Sequence, residues 1–260
     1  MKISKILTAA TAVGFMVAGP AHVLADNPGG WEYSLAPLFL WGKNINGFSE
    51  IGGKEAPLDL DFNDDILGNL DGAFTFHFEA KQGPLTLFAE YNYAKLDPTA
   101  DETLGPITIT ADIDFKDTMW ELGVAYAFAD NDRTRWEVLG GVRHMEQEID
   151  AEIGADFGPG APKEISGGDD WWQGFGGFRV ITQLSQNWSL RARADIGYQD
   201  SNNKSGHAIA TFDYRFKQWG SAFVGYRFLD TEYDNGKSGD DGYIFDADQQ
   251  GPILGVSFYF

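Results

Sequence analysis

Ten stretches of this 260-residue chain alternate apolar and polar residues with a period of two, and the connections between them alternate in length. Successive side chains of a strand point to opposite faces, so each stretch has one apolar and one polar face. In order they lie around Trp31 to Gly42, Gly72 to Gln82, Pro84 to Leu96, Thr118 to Ala129, Arg135 to Gln147, Trp171 to Thr182, Trp188 to Tyr198, Gly206 to Lys217, Gly220 to Tyr233 and Gly251 to Phe260. Short connections fall at Gln82-Gly83-Pro84, Asp130 to Thr134, Leu184 to Asn187 and Lys217 to Trp219. Longer, acidic and Gly-rich ones fall at Lys43 to Asp71, Asp97 to Asp117, Glu148 to Asp170, Gln199 to Ser205 and Asp234 to Gln250.

Strands of about 9 to 11 residues, joined by short turns on one side and long loops on the other, are what a membrane-crossing barrel requires. The expected fold is all-β: an antiparallel up-and-down transmembrane β-barrel of about ten strands, both termini on the short-turn side. Eight strands fit if one hairpin is loop, and twelve if Pro57 to Phe62 and Pro106 to Phe115 cross separately. The second of these alternates from Ile107 to Phe115 and is read as a neighbouring strand extended above the membrane, because only Lys116-Asp117 separates it from the fourth stretch. A secreted β-sandwich is the architectural alternative, but it does not need such one-sided loop lengths.

Lys2 and Lys5 precede an apolar run from Ile6 to Ala18, Gly19-Pro20 breaks it, and Val23 and Ala25 suit a cleavage site. Residues 1–25 therefore read as a secretory signal peptide and 26–260 as a single barrel with no appended domain. The mean hydropathy of −0.28 would pass for a soluble protein. Such a value is compatible with a barrel, since only alternate residues touch lipid. Aromatic residues make up 15% of the chain, enough to furnish interfacial girdles, and the absence of Cys excludes disulfides. The formal charge of −20 argues against nucleic acid, whose phosphates call for clustered Lys and Arg.

Assigning the apolar phase to lipid places Trp31, Tyr33, Leu35, Phe39 and Trp41 outside on the first strand. Phe74, Phe76 and Phe78 follow on the second, Trp120 to Phe128 at alternate positions on the fourth, and Trp188 to Ile196 on the seventh. The opposite phase then collects Glu32, His77, Glu79, Lys81, Glu90, Asn92, Glu121, Glu137, Arg143, Gln173, Arg179, Arg191, Arg193, Asp195, Asp213, Arg215 and Arg227. Seven of these are acidic and seven basic, so the lumen is expected to be near neutral inside a strongly acidic protein. An unpaired ion there would cost several kcal/mol, whereas Arg satisfies carboxylates through its planar fork of donors. Two readings follow: a charge-paired lumen that fills the barrel, or a narrow pathway for small polar solutes or ions lined by the same residues. The chain is too short for a wide porin.

Catalytic strings such as GxSxG, a Walker A loop or HExxH are absent, and no cofactor is expected. His144, with Glu146 and Glu148 at alternate positions, is the nearest approach to a rim protease of omptin type. Ser205-Gly206-His207 is the nearest to a lipid-modifying hydrolase. Neither constellation carries a motif, and the expectation is a non-enzymatic protein. Loop carboxylates Asp64, Asp65, Asp169, Asp170, Asp240 and Asp241 are hard oxygen ligands that could gather divalent cations. Asp234 to Gly242 nevertheless lacks the spacing and closing Glu of an EF-hand.

At the carboxyl end Leu254, Val256, Phe258 and Phe260 share one face, and the chain finishes on an aromatic residue in phase with that stripe. This terminus, with Trp31 to Pro37, Asp64 to Leu70, Asn187 to Gly197, Val224 to Asp230 and Gln250 to Phe258, resembles the small outer-membrane β-barrel proteins of Gram-negative bacteria, the class that includes OmpA, OmpX and OmpW. Within that class it resembles a group of single-barrel proteins with no securely attached activity. The resemblance implies an outer-membrane location and a monomer with a structural or surface-interaction role. It also implies contact with outer-membrane lipid and lipopolysaccharide, and recognition of the strand ending at Phe260 by the barrel-assembly machinery.

Overall fold

A computed structural model of the chain describes residues 30–104, 107–155 and 163–260. The expected signal segment lies outside the described residues. The first strand is broken into β1 (Glu32–Ala36), β2 (Phe39–Trp41) and β3 (Asn44–Ile51), and β4 (Lys54–Leu60) folds back on β3. Gly52 and Gly53 make that hairpin with φ of 60° and 75°, a conformation that glycine enters without a Cβ penalty. Short helical turns over Phe62–Ile66 and Leu67–Asn69 lead into β5 (Leu70–Gln82) and β6 (Leu85–Leu96). Then come β7 (Thr99–Leu104), β8 (Ile107–Asp130), β9 (Thr134–Ala155), β10 (Lys163–Gln183), β11 (Trp188–Asp200), β12 (Asn203–Lys217), β13 (Gly220–Asp234) and β14 (Tyr243–Tyr259).

All pairings are antiparallel, and β1 pairs with both β5 and β14, which closes a barrel of ten strands. Closure leaves the wall without open edges, the condition for strands in lipid. The ten-strand expectation holds, and twelve is overturned for both extra segments. Pro57 to Phe62 falls mostly in β4, which pairs with β3 alone, and Ile107 to Asp130 is one continuous strand. The strands are longer than the sequence pattern indicated, because the long connections are themselves largely paired β-structure beyond the lipid band.

Phe74, Leu87, Leu122, Val124, Tyr126, Val138, Phe178, Ile196, Phe212, Val224 and Leu254 are among the exposed outward side chains. They form the apolar band that faces lipid. The first strand departs from its expected phase. Leu35 lies opposite Phe258 while Phe39 lies opposite Gly255, four residues against three, so Pro37-Leu38 inserts a β-bulge. Phe39, only 2% exposed, therefore points inward, and Trp41 turns inward to lie 4.6 Å beneath the Arg227 guanidinium. Leu38 and Leu40 take the outward positions instead.

At the long-loop end the polarity of the strands inverts. Tyr243, Phe245 and Ala247 of β14 are buried inside, alternating with Asp246 and Asp248 outside. They join Ile45, Ile66, Leu96, Met119, Met145, Trp171 and Leu229 in an apolar plug. Trp171 stacks on Tyr233 at 4.2 Å, and the Tyr243 hydroxyl donates to Gln147 Oε1 at 2.6 Å. The two helical turns after β4 deliver Phe62 and Ile66 to this plug, with the Asp61 carboxylate accepting the Asn63 amide at their start.

Candidate functional site

Below the plug, the inward phase of β5, β6 and β8 to β13 brings most of the predicted lumen charges into a buried network of two ion-pair clusters that share the Phe88 ring. Arg143 is fully buried, donating from Nε to Glu121 Oε1 at 2.7 Å, from Nη2 to Asp195 Oδ1 at 2.7 Å and from Nη1 to Ser205 Oγ at 2.8 Å. Arg193 bridges the same two carboxylates from the other side, at 2.9 Å to Glu121 and 2.7 Å to Asp195. Arg179 joins Glu137 to Glu79, both at 2.5 Å, and Arg191 reaches Glu79 at 2.8 Å. Arg227 pairs with Glu90, and His77 spans Glu90 and Glu79 at 2.9 and 3.1 Å.

Phe88 and Phe175 lie within this network as an apolar floor, with Arg193 about 5 Å above both rings (5.2 and 5.0 Å). Gly123 makes the space: a Cβ there would sit 2.3 Å from Phe88. The guanidiniums are thus fixed by carboxylates at their edges and by rings at their faces.

Most predicted lumen residues meet in this way. Asp213 accepts from Thr211 Oγ1 at 2.9 Å, and Arg215 stands at the short-turn mouth, 4.2 Å over the Tyr259 ring. Glu32 and Lys81 pair with each other at 3.4 Å in solvent. Two members were not foreseen. Arg135 ties Glu137 to Asp130 at the short-turn end, and His207 places Nδ1 2.9 Å from Asp195 Oδ2. Arg135 follows the same inward phase as Glu137, so its alternation could have found it. His207 stands in the eighth stretch in phase with Asp213 and Arg215, so the same alternation could have found it.

The residues of the two catalytic alternatives lie on opposite faces of the wall. His144 lies on the outward face between Trp120 and Trp172, with centroids at 5.4 and 4.7 Å, and contacts Asp170 at 3.2 Å. Ser205 and His207 are buried inside the barrel, not presented to lipid, and Ser205 Oγ donates to Gln173 Oε1 at 2.6 Å. The loop carboxylates are scattered too. Asp65 accepts the Asp61 amide, Asp169 accepts from Asn235, and Asp240 and Asp241 occupy a separate short turn, while Asp64 sits at the start of the helical turns. Among the described residues no group of three or more His, Cys, Asp or Glu is placed to hold a metal.

Outside and above the apolar band the strands carry a charged collar. Lys95 gathers Asp114, Asp71 and Asp97, whose hydrogen bonds hold its ammonium above the ordinary lysine range. Asp230 sits opposite Asp248; partial burial raises its carboxyl above the usual range, and Asp248, Glu232 and Asp246 add to the rise.

No protein-family model matches the chain, and no curated protein matches it in sequence. Solved structures do match in shape. The outer-membrane protease OmpT of Escherichia coli superposes with a TM-score of 0.54 at 8% identity, over 92% of this chain and 99% of its own. The translocator domain of the autotransporter NalP of Neisseria meningitidis gives 0.49 at 12% identity over 90% of each chain. The attachment invasion locus protein Ail of Yersinia pestis gives 0.34 at 12% identity over 89% of this chain and 99% of its own. The chain has the fold of a small outer-membrane β-barrel. At such identities the likeness reaches no further than the fold.

Proposed function

We propose that this protein is a closed, non-conducting barrel of the Gram-negative outer membrane whose role is to present its long-loop end to the cell surroundings. The observation that carries this reading is the double obstruction of the lumen. Arg143, Arg227, Glu121 and Glu137 are at most 1% exposed within the ion-pair network, and the apolar plug covers them on the long-loop side. A pathway for ions needs polar groups that can exchange partners with a passing solute, and groups locked to one another at 2.5 to 2.9 Å do not. The outward carboxylates above the lipid band suit contact with lipopolysaccharide bridged by divalent cations, and the strand ending at Phe260 suits delivery by the barrel-assembly machinery. No enzymatic role is part of the proposal, since His144, Ser205 and His207 are each held in contacts that assemble no nucleophile and base together.

Single-channel recording of the refolded mature barrel in a planar bilayer tests it, with heat-shifted gel mobility confirming the fold. Silence is expected. Reproducible, ion-selective openings would replace this reading with that of a narrow channel.

A further inference from the structure

Pairing of β1 with β5 runs from Glu32 opposite Lys81 to Ala36 opposite His77 and stops there. Toward the long-loop end the ring is no longer closed by strand. Among the described residues β4 has β3 as its one strand partner, and the rest of β5, from Leu70 to Phe76, is paired on the β6 side alone. The joint between β2 and β5 is a single side chain: Thr75 Oγ1 accepts from the Phe39 amide at 2.9 Å and donates to the Phe39 carbonyl. Leu38 and Leu40 on one side of that joint and Phe74 on the other are exposed outward, so the gap begins in the apolar band and runs up to the collar at Asp71. Pro57 within β4 offers no N–H to a further strand.

The helical turns over Phe62–Ile66 and Leu67–Asn69 join β4 to β5 across this gap as a strap, and the hydrogen bonds they make are mostly internal. The Asp61 amide donates to Asp65 Oδ2 at 2.8 Å, and Asn69 Nδ2 donates to the Asp65 carbonyl at 2.6 Å. Among the described residues two hydrogen bonds tie the strap to its surroundings: the Phe62 amide to Asn44 Oδ1 at 2.8 Å, and the Asp97 amide to the Asn69 carbonyl at 2.9 Å. Ile66 is nevertheless only 4% exposed, as deep in the plug as Met145 at 6%. Met145 is held by a ladder on both sides of β9, opposite Met119 and Trp171. Segments with few backbone ties open locally well before a molecule unfolds, so these two plug residues differ in how easily they leave.

We propose that the strap is a lateral gate, through which small apolar molecules dissolved in the outer leaflet reach a slot in the plug that Ile66 fills while the gate is shut. When the strap swings outward, Ile66 leaves behind a space walled by the apolar side chains of the plug. Such a space stays dry and takes an apolar occupant. The passage runs sideways and ends in the plug, while the ion-pair network below keeps the axial path shut. Surface presentation by the long-loop end neither requires nor forbids it.

The chain has no Cys, so single introduced cysteines report on the strap without background. The test is the rate at which a water-soluble maleimide modifies Ile66→Cys and Met145→Cys in the folded, detergent-solubilised barrel, with and without benzene. Without benzene, Ile66→Cys is expected to react at least about tenfold faster than Met145→Cys. Benzene, by occupying the slot in the open state, is expected to raise the Ile66→Cys rate further in a saturable way and to leave Met145→Cys unchanged. Equal rates for the two cysteines would show a strap as fixed as the wall and would overturn the gate. A benzene effect that is absent, unsaturable or the same at both positions would overturn the slot. Should Ile66→Cys fail to show heat-shifted mobility, Phe62→Cys on the same strap takes its place in the benzene arm, where the same three outcomes overturn the proposal.

Discussion

Arg143 shows how much a single side chain can hold in this lumen. It has three partners and no exposure, so Arg143→Ala leaves Glu121 and Asp195 as buried carboxylates each with one cation fewer. Breaking such a pair from one side typically costs about 3–5 kcal/mol. The expected outcome is a barrel that loses that much stability in denaturant titration. Replacing the pair together, as Glu121→Leu with Arg143→Met, removes a charge along with its partner and is expected to recover most of the loss. Arg193 and Asp195 remain to pair with each other at 2.7 Å. A double variant as unstable as Arg143→Ala would show that the network acts through hydrogen-bond geometry rather than charge compensation.

Among the elements, β14 states the design of the molecule most fully. Its second half reads apolar outward, with Leu254 and Val256 facing lipid, and its first half reads apolar inward, with Tyr243, Phe245 and Ala247 in the plug. Period-two alternation reveals a strand but not which face is wet, because a lipid-facing stripe and a core-facing stripe are the same string. For that reason the membrane halves were legible in the sequence, including most of the lumen charges, while the plug was not. The first strand failed differently: Pro37-Leu38 adds one residue, and every side chain beyond it changes face, which carried Phe39 and Trp41 from the predicted lipid side to the interior. On β13, Asp230 belongs to the outward collar and carries a raised pKa from partial burial and its acidic neighbours. A carboxyl raised on folding destabilises wherever it is ionised, and the penalty fades as pH falls through its folded value and ends below the unfolded value of about 3.9. Asp230→Asn is therefore expected to raise the thermal midpoint at pH 7 and to match the wild type near pH 3. A gain that is the same at both pH values would assign the effect to something other than charge.

For the whole molecule, the two obstructions of the lumen are separate and in series. Trp171 is 3% exposed and stacks on Tyr233 in the plug, so Trp171→Ala should cost about 3–5 kcal/mol of stability by opening a void. It should not produce conductance, because the ion-pair network below contains none of the plug's residues. Ion flow from Trp171→Ala alone would locate the barrier entirely in the plug.

The barrel is also uneven in height. Its three longest strands, β8, β9 and β10 at 24, 22 and 21 residues, are adjacent in the ring. At about 3.3 Å per residue and a tilt near 40°, β8 rises roughly 60 Å, against an apolar band about 25 Å tall. One side of the wall thus stands roughly 35 Å clear of the hydrocarbon, off the barrel axis. A molecule approaching the long-loop end would meet the flank of β8 to β10 before it met the mouth of the barrel.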